Sequence, residues 1–294
     1  MSFLGSGLHR RSLWRWMEVP DPPCALHRGT PQRLPRSAPP RAPSASVVAS
    51  PPTMSHGHHR SPHPEDATLF APSRLPALQR AVEEVCWMLG RGYPMSLAVR
   101  AAGDRHQLEQ RARLAVTRAA ASPEDIASRS RRCLDVAELA GRCLDVDAFN
   151  VIITLELALG GGPLFVCADG PLRDLAGMRG SYRLAVETEG AIDLLGAALA
   201  RWSVARCALW IDAPVSNSGR LRSLIEARAG HWGVETRLEM VADADIALRG
   251  RELVASADAI VIDASPRWCN LARAIVERDV PTAWRVPLAK GAEP

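Results

Sequence analysis

No CxxC pair occurs among the seven cysteines, which stand singly at Cys24, Cys86, Cys133, Cys143, Cys167, Cys207 and Cys269. An odd, scattered set supports neither a zinc knuckle nor a disulfide framework, and a reducing, cytoplasmic setting fits it best. No apolar run approaches the ~20 residues that a membrane-spanning helix needs, and no apolar stretch near Met1 leads to a small-residue cleavage site. A membrane partner and secretion are therefore not expected. Neither GxGxxG nor GxxxxGK(S/T) follows an expected strand, and Gly160, Gly161 and Gly162 end a helix instead of opening one. This counts against a Rossmann-like enzyme acting on a small phosphorylated metabolite. Histidine is scarce in the expected folded region, where only His106 and His231 occur, so no nucleophile–histidine triad is in sight.

What is present is a chain of 294 residues, 47% apolar and 23% charged, long enough for one sizeable α/β domain and a smaller one. The formal charge of +4 is unevenly spread: residues 1–64 carry a net +6, which leaves −2 for the remainder. A slightly acidic body does not suggest a broad nucleic-acid-binding face. Residues 1–73 are rich in Pro, Ser and Arg and are expected to form a disordered tail in which the "HGHH" of His56 to His59 is solvated. Residues 74–135 show three- and four-residue apolar spacing and are expected to form a helical module, with Ser122 and Pro123 opening its last helix. Its arginines (Arg105, Arg111, Arg113, Arg118, Arg129, Arg131 and Arg132) read either as a phosphate-contacting face or as a solvated helix surface.

Residues 140–290 alternate short apolar runs with amphipathic stretches, which implies an α/β domain with a mostly parallel, Rossmann-like sheet and helices on both faces. Expected strands are Cys143 to Asp147, Leu164 to Ala168, Arg206 to Asp212, Val234 to Met240, a segment within Glu252 to Asp263, and Thr282 to Val286. Expected helices are Val151 to Leu159, Glu189 to Trp202, Gly219 to Ala229, Ala244 to Leu248 and Trp268 to Arg278. Val151 to Thr154 have strand propensity, yet the alternation assigns them to a helix after a strand that ends at Asp147.

This arrangement brings several carboxylates to strand ends: Asp147, Asp169, Asp212, and Asp258 or Asp263. Carboxyl ends of parallel strands share one edge, where α/β proteins bind ligands. Clustered carboxylates repel one another unless a cation lies between them, and oxygen donors suit Mg²⁺ or Mn²⁺. Asp243 and Asp245 either cap a short helix or join that edge. Asp at a strand end is also a common turn former and helix cap, so capping is the competing reading. In "IDAPVSNSGRL", Ser216, Asn217 and Ser218 at a helix mouth suggest an anion site. Arg173 and Arg179, in a long Gly-bearing connection, suggest phosphate contacts or surface salt bridges.

The stretches "RGYPMSLAVRAAGDRHQLEQRARLAVTRA", "DVDAFNVIITLELAL", "FVCADGPLRDLAGMRGSYRL", "IDAPVSNSGRL" and "ELVASADAIVID" resemble an uncharacterised family that pairs the helical domain of unknown function 434 with the domain of unknown function 5616. More distantly, "DVDAFNVI" is similar to the opening of NYN domains in the PIN-like nuclease superfamily. That resemblance implies a metal-binding role for Asp147, for Asp243 or Asp245 through "VADADIAL", and for Asp258 through "ASAD". Ala148 stands where that pattern has Gly, "ASAD" where it has "TSD", and an extra segment intervenes near Asp169. The expectation is a metal-dependent phosphodiester hydrolase acting on RNA. Asp147, Asp212, Asp243 and Asp258 would hold Mg²⁺ or Mn²⁺, and Asn150, Ser216 and Asn217 would orient substrate. The alternative is a non-catalytic RNA- or nucleotide-binding protein of the same fold. The sequence fixes no oligomeric state.

Overall fold

The computed structural model describes residues 57–176 and 181–289. Residues 1–56, which hold most of the expected tail and His56, lie outside the described residues, as does Arg179. A short helix α1 (Asp66–Leu69) precedes four helices, α2 (Leu75–Leu89), α3 (Met95–Arg105), α4 (Gln110–Ala119) and α5 (Pro123–Arg132). Ser122 caps α5 by accepting from the Asp125 N–H, as its sequence foretold.

The sheet region then runs β1 (Cys133–Leu134), β2 (Cys143–Asp147), α6 (Ala148–Gly160), β3 (Leu164–Val166), β4 (Leu172–Arg173), α7 (Thr188–Arg201) and β5 (Arg206–Asp212). It continues through α8 (Ser218–Ala229), β6 (Glu235–Val241), α9 (Ala244–Leu248), β7 (Leu253–Ala255), α10 (Ala259–Ala264), β8 (Arg267–Cys269), α11 (Leu271–Asp279) and β9 (Arg285–Pro287).

Six strands form a wholly parallel sheet in the order β1-β8-β7-β2-β5-β6. Helices cover both faces, as the alternation of elements implied. Along β5 the period of two is clear: Cys207, Leu209 and Ile211 enter the main core with α6, α7, α8 and α11. Ala208 and Trp210 face the opposite side, where α9 and α10 pack. Helix α6 is apolar nearly all round, with ten buried residues, because it lies between the sheet and other helices. Burial on every side overrides the strand propensity of its β-branched run. Gly161, at φ +76°, ends it.

The structure departs from the expected single sheet. β3 pairs with β4 and β9 in a separate three-stranded sheet, so Leu164 to Ala168 and Thr282 to Val286 do not join the parallel sheet. Phe165, Cys167, Val286 and Leu288 from this second sheet share a core with Leu78, Val85, Ala112 and Val116 of the helical module. The main sheet also begins before residue 140, since β1 pairs with β8, and Trp268 and Cys269 are strand residues ahead of α11.

The expected tail boundary at residue 73 also shifts. From Gly57 onward the chain is anchored: the Arg60 Nε donates to Glu156 at 2.8 Å, and Glu156 is fully buried in α6. His59, within the stretch expected to be solvated, pairs with Glu187 at 2.8 Å. Asp66 is likewise buried against Arg111. Composition counts such polar side chains as solvated, whereas here each meets a polar partner contributed by a distant segment.

Candidate functional site

Strand β2 leads through α6 and α7 to β5 on one side, whereas β7 leads through α10 to β8 on the other. The strand order therefore reverses between β2 and β7, where open α/β sheets form their ligand crevice. Asp147, the last residue of β2, caps α6 by accepting from the Asn150 N–H at 3.2 Å, and its second oxygen accepts from the Ser256 hydroxyl at 2.9 Å. Asn150 reaches back, its Oδ1 accepting from the Ala257 N–H at 2.8 Å. The ends of the two strands are thus stitched together by three side chains.

The neighbouring strands deliver further acids. Asp212, ending β5, accepts from the Ala244 N–H at 2.7 Å. Asp243, after β6, caps α9 through the Ile246 N–H at 2.9 Å, and Asp258, after β7, caps α10 through the Ile260 N–H at 2.8 Å. Asp147, Asp212, Asp243, Asp245 and Asp258 all line one cavity of about 970 Å³. Capping and convergence therefore coexist: each of Asp212, Asp243 and Asp258 gives one oxygen to a backbone N–H and keeps the other.

The electrostatics reflect this crowding. Burial pushes the Asp147 carboxyl up to about 7, against the pull of its bonds to Ser256 and Asn150 and with added repulsion from Asp245 and Asp258. Asp245 is pushed up to about 6 by burial and by repulsion from Asp258, Asp243 and Asp212. Among the described residues, no group of three His, Cys, Asp or Glu side chains is close enough to cage a metal ion in this conformation. The donor set is nevertheless all oxygen, which is the chemistry of Mg²⁺ and Mn²⁺ sites.

The helical module forms the opposite wall, with Leu89, Met95, Leu114 and Arg118. A buried ionic hub joins the two walls. The Arg173 guanidinium is bidentate to Asp169 at 2.7 and 2.6 Å, donates to the Ala257 carbonyl at 2.7 Å and to the Arg118 carbonyl at 3.0 Å. Arg129 donates to the same Asp169 at 2.6 Å and holds Asp263 with two bonds. Burial alone would raise the Asp169 pKa, but the hydrogen bonds and charge of Arg173, with those of Arg129, outweigh it and hold this carboxyl below its ordinary value.

The sequence placed Asp169 at the acidic edge, but it is paired within the hub because β3 lies in the second sheet. Of the alternatives Asp258 and Asp263, Asp258 lines the cavity, whereas Asp263 lies within α10 and is held by Arg129. Arg173 lines the cavity with its donors committed to that hub. Ser216 and Asn217 hold the Tyr182 backbone, and Ser218 donates to the Ala213 carbonyl, so these side chains fasten the Ser181 segment to the start of α8. Ser256 was not singled out in advance, although its place in "ASAD", two residues before Asp258, was the available signal. The six described cysteines are free. Burial pushes Cys167 up to about 11 and Cys269 up to about 12, so both stay neutral thiols.

Fold and site together define a Rossmann-like α/β protein whose acid-lined crevice is closed by a helical module. Residues 77–132 match a protein of unknown function, DUF434, and residues 136–274 match a domain of unknown function, DUF5616. The chain thus carries these two domains in this order. It is similar to an uncharacterized protein of Methanocaldococcus jannaschii, 27% identical over 186 residues that cover 63% of this chain and 89% of that protein. No solved structure matches the chain. No helix among the described residues is long and apolar enough to cross a membrane.

Proposed function

We propose that this protein is a metal-dependent phosphodiester hydrolase acting on RNA, with a PIN- or NYN-like use of its strand-end acids. The observation that carries this reading is the convergence of Asp147, Asp212, Asp243 and Asp258, delivered by four parallel strands, on one cavity at the strand-order reversal. These four would hold Mg²⁺ or Mn²⁺, with Asp245 beside them; the free oxygens of Asp212, Asp243 and Asp258 suit such an ion in kind. A divalent ion bound there supplies charge neutralisation at the phosphodiester and an activated water. Ser256 and the Asn150 N–H fix the Asp147 carboxylate in orientation. The Asn150 side-chain NH₂ has no partner among the described residues and is available to a substrate oxygen. Leu89, Met95 and Leu114 reduce water access from the opposite wall. The free thiols suit a reducing, cytoplasmic compartment.

The test is Mn²⁺-dependent cleavage of RNA by the full chain and by Asp147→Asn. A loss of roughly 100-fold or more is expected in the variant, and cleavage equal to wild type contradicts the assignment. A second reading, a nucleotide- or RNA-binding module without turnover, is favoured by the lack of a three-donor cage among the described residues. It predicts RNA binding that is indifferent to metal and yields no product.

A further inference from the structure

The arginine-rich stretch of the helical module separates into two kinds of residue once the partners are known. Arg105 pairs with Glu84, Arg111 with Asp66, Arg113 with Asp104, Arg129 with Asp169 and Asp263, and Arg132 with Asp263 and two carbonyls. The side chains of Arg118 and Arg131 make no hydrogen bond or ion pair among the described residues. Arg131 lies away from the cavity, whereas Arg118 lines it opposite the acids. The surroundings of Arg118 are also fixed. Its own carbonyl is held by Arg173 at 3.0 Å, and the next carbonyl, that of Ala119, accepts from the Ala168 N–H at 2.8 Å. The same Arg173 holds the Ala257 carbonyl beside Asp258 at 2.7 Å. One buried guanidinium therefore sets the spacing between an arginine and the acidic edge.

From these contacts we infer that Arg118 binds a phosphate of an unpaired nucleotide in an RNA strand, whose base rests on the apolar wall of Leu89, Met95 and Leu114. This rests on the proposed phosphodiester chemistry and adds the form of the substrate. Arg129 and Arg173 also line the cavity, but their guanidiniums are committed to Asp169 and Asp263, whereas Arg118 is not so held, so an anionic ligand meets favourable charge there. The field of Arg118 falls on Asp174, whose carboxyl is also capped by the Ala176 N–H, and the nearby Asp125 accepts from Ser122. Leu114 is 42% exposed, and Ile260 at the rim is 51% exposed, an apolar surface left open beside charged groups. A cleft of about 970 Å³ walled on two sides has the size of a small-ligand pocket. It accepts an unstacked nucleotide, whereas a duplex would have to open to enter it.

The test is fluorescence anisotropy with a short, end-labelled single-stranded RNA on the full chain, in Mn²⁺ and again in EDTA. The same strand in duplex form and a mixture of nucleoside monophosphates serve as competitors. Arg118→Ala should weaken single-strand binding about tenfold or more, Arg131→Ala should leave it unchanged, and the duplex should compete poorly. Because the Arg118 side chain makes no hydrogen bond or ion pair among the described residues, its loss should leave the fold intact, and thermal melting of the variant checks this. Unchanged affinity in Arg118→Ala, no binding by wild type, or a duplex bound as tightly as the single strand would each overturn the inference. Monophosphates competing as strongly as the strand would overturn the assignment to an RNA strand. Cleavage that depends on Asp147 with binding indifferent to Arg118 would leave the hydrolase standing without this inference. Binding that depends on Arg118 without cleavage would do the reverse.

Discussion

Two sets of carboxylates in this protein meet opposite treatment. Asp169 is buried and receives three charged hydrogen bonds from two guanidiniums, and its pKa falls below the ordinary value. Asp147 is equally buried, receives one hydroxyl and one backbone N–H, faces other carboxylates, and its pKa rises to about 7. A fold that needed both only for stability would pair both. The hub is thus internally neutralised, and on the proposed function the acidic edge is left short of positive charge for a bound cation to supply.

The largest effect expected from this contrast is at the hub. Asp169→Ala leaves Arg129 and Arg173 buried without their shared partner and should cost ~3–5 kcal/mol in denaturant unfolding. A cost below ~1 kcal/mol would break the comparison. Because the folded pKa of Asp169 is depressed, its contribution is present above the unfolded value and is lost as pH falls through the folded one.

At the acidic edge the sign reverses. Asp147 rises from 3.8 to about 7, so wild-type stability from this group falls as pH climbs across that interval and the cost is complete above it. Asp147→Asn should therefore stabilise the metal-free protein by ~2 kcal/mol at pH 8, after allowance for weaker bonds to Ser256 and Asn150. The gain should vanish at pH ~2.5, below the ordinary carboxyl value, where the group is largely protonated in both states. Melting curves at the two pH values check this, and destabilisation at pH 8 would place Asp147 with Asp169 as a structural residue.

The smallest effect is at Arg118. Arg118→Ala should change stability by less than ~0.5 kcal/mol, since its guanidinium is not committed within the described fold. A larger loss measured by denaturant unfolding would move it into the hub.

Much of the fold was legible because strand and helix alternate with clear periods, and β2, β5 and α9 begin and end where the sequence put them. The acidic edge was legible for the same reason, since a parallel sheet brings strand ends together. Asp169 was misplaced because an Asp after a short apolar run looks the same whichever sheet the strand joins. What separates it from Asp147 is Arg129, far upstream, and Arg173, whose pairing only tertiary structure reveals. β1, β4 and β8 are two or three residues long and carry no readable period. Glu156 gave no signal within its apolar helix, because Arg60, its partner, comes from a stretch whose composition reads as tail.

The most direct test of the central claim is Mn²⁺ binding measured by calorimetry on the full chain, compared with Asp147→Asn and Asp258→Asn. Both variants can still cap their helices, so each should stay folded. The account predicts stoichiometric binding by wild type that is lost in both variants. A folded wild-type protein that binds no Mn²⁺, or variants that bind it as well as wild type, would contradict the claim that these strand-end acids form one metal site.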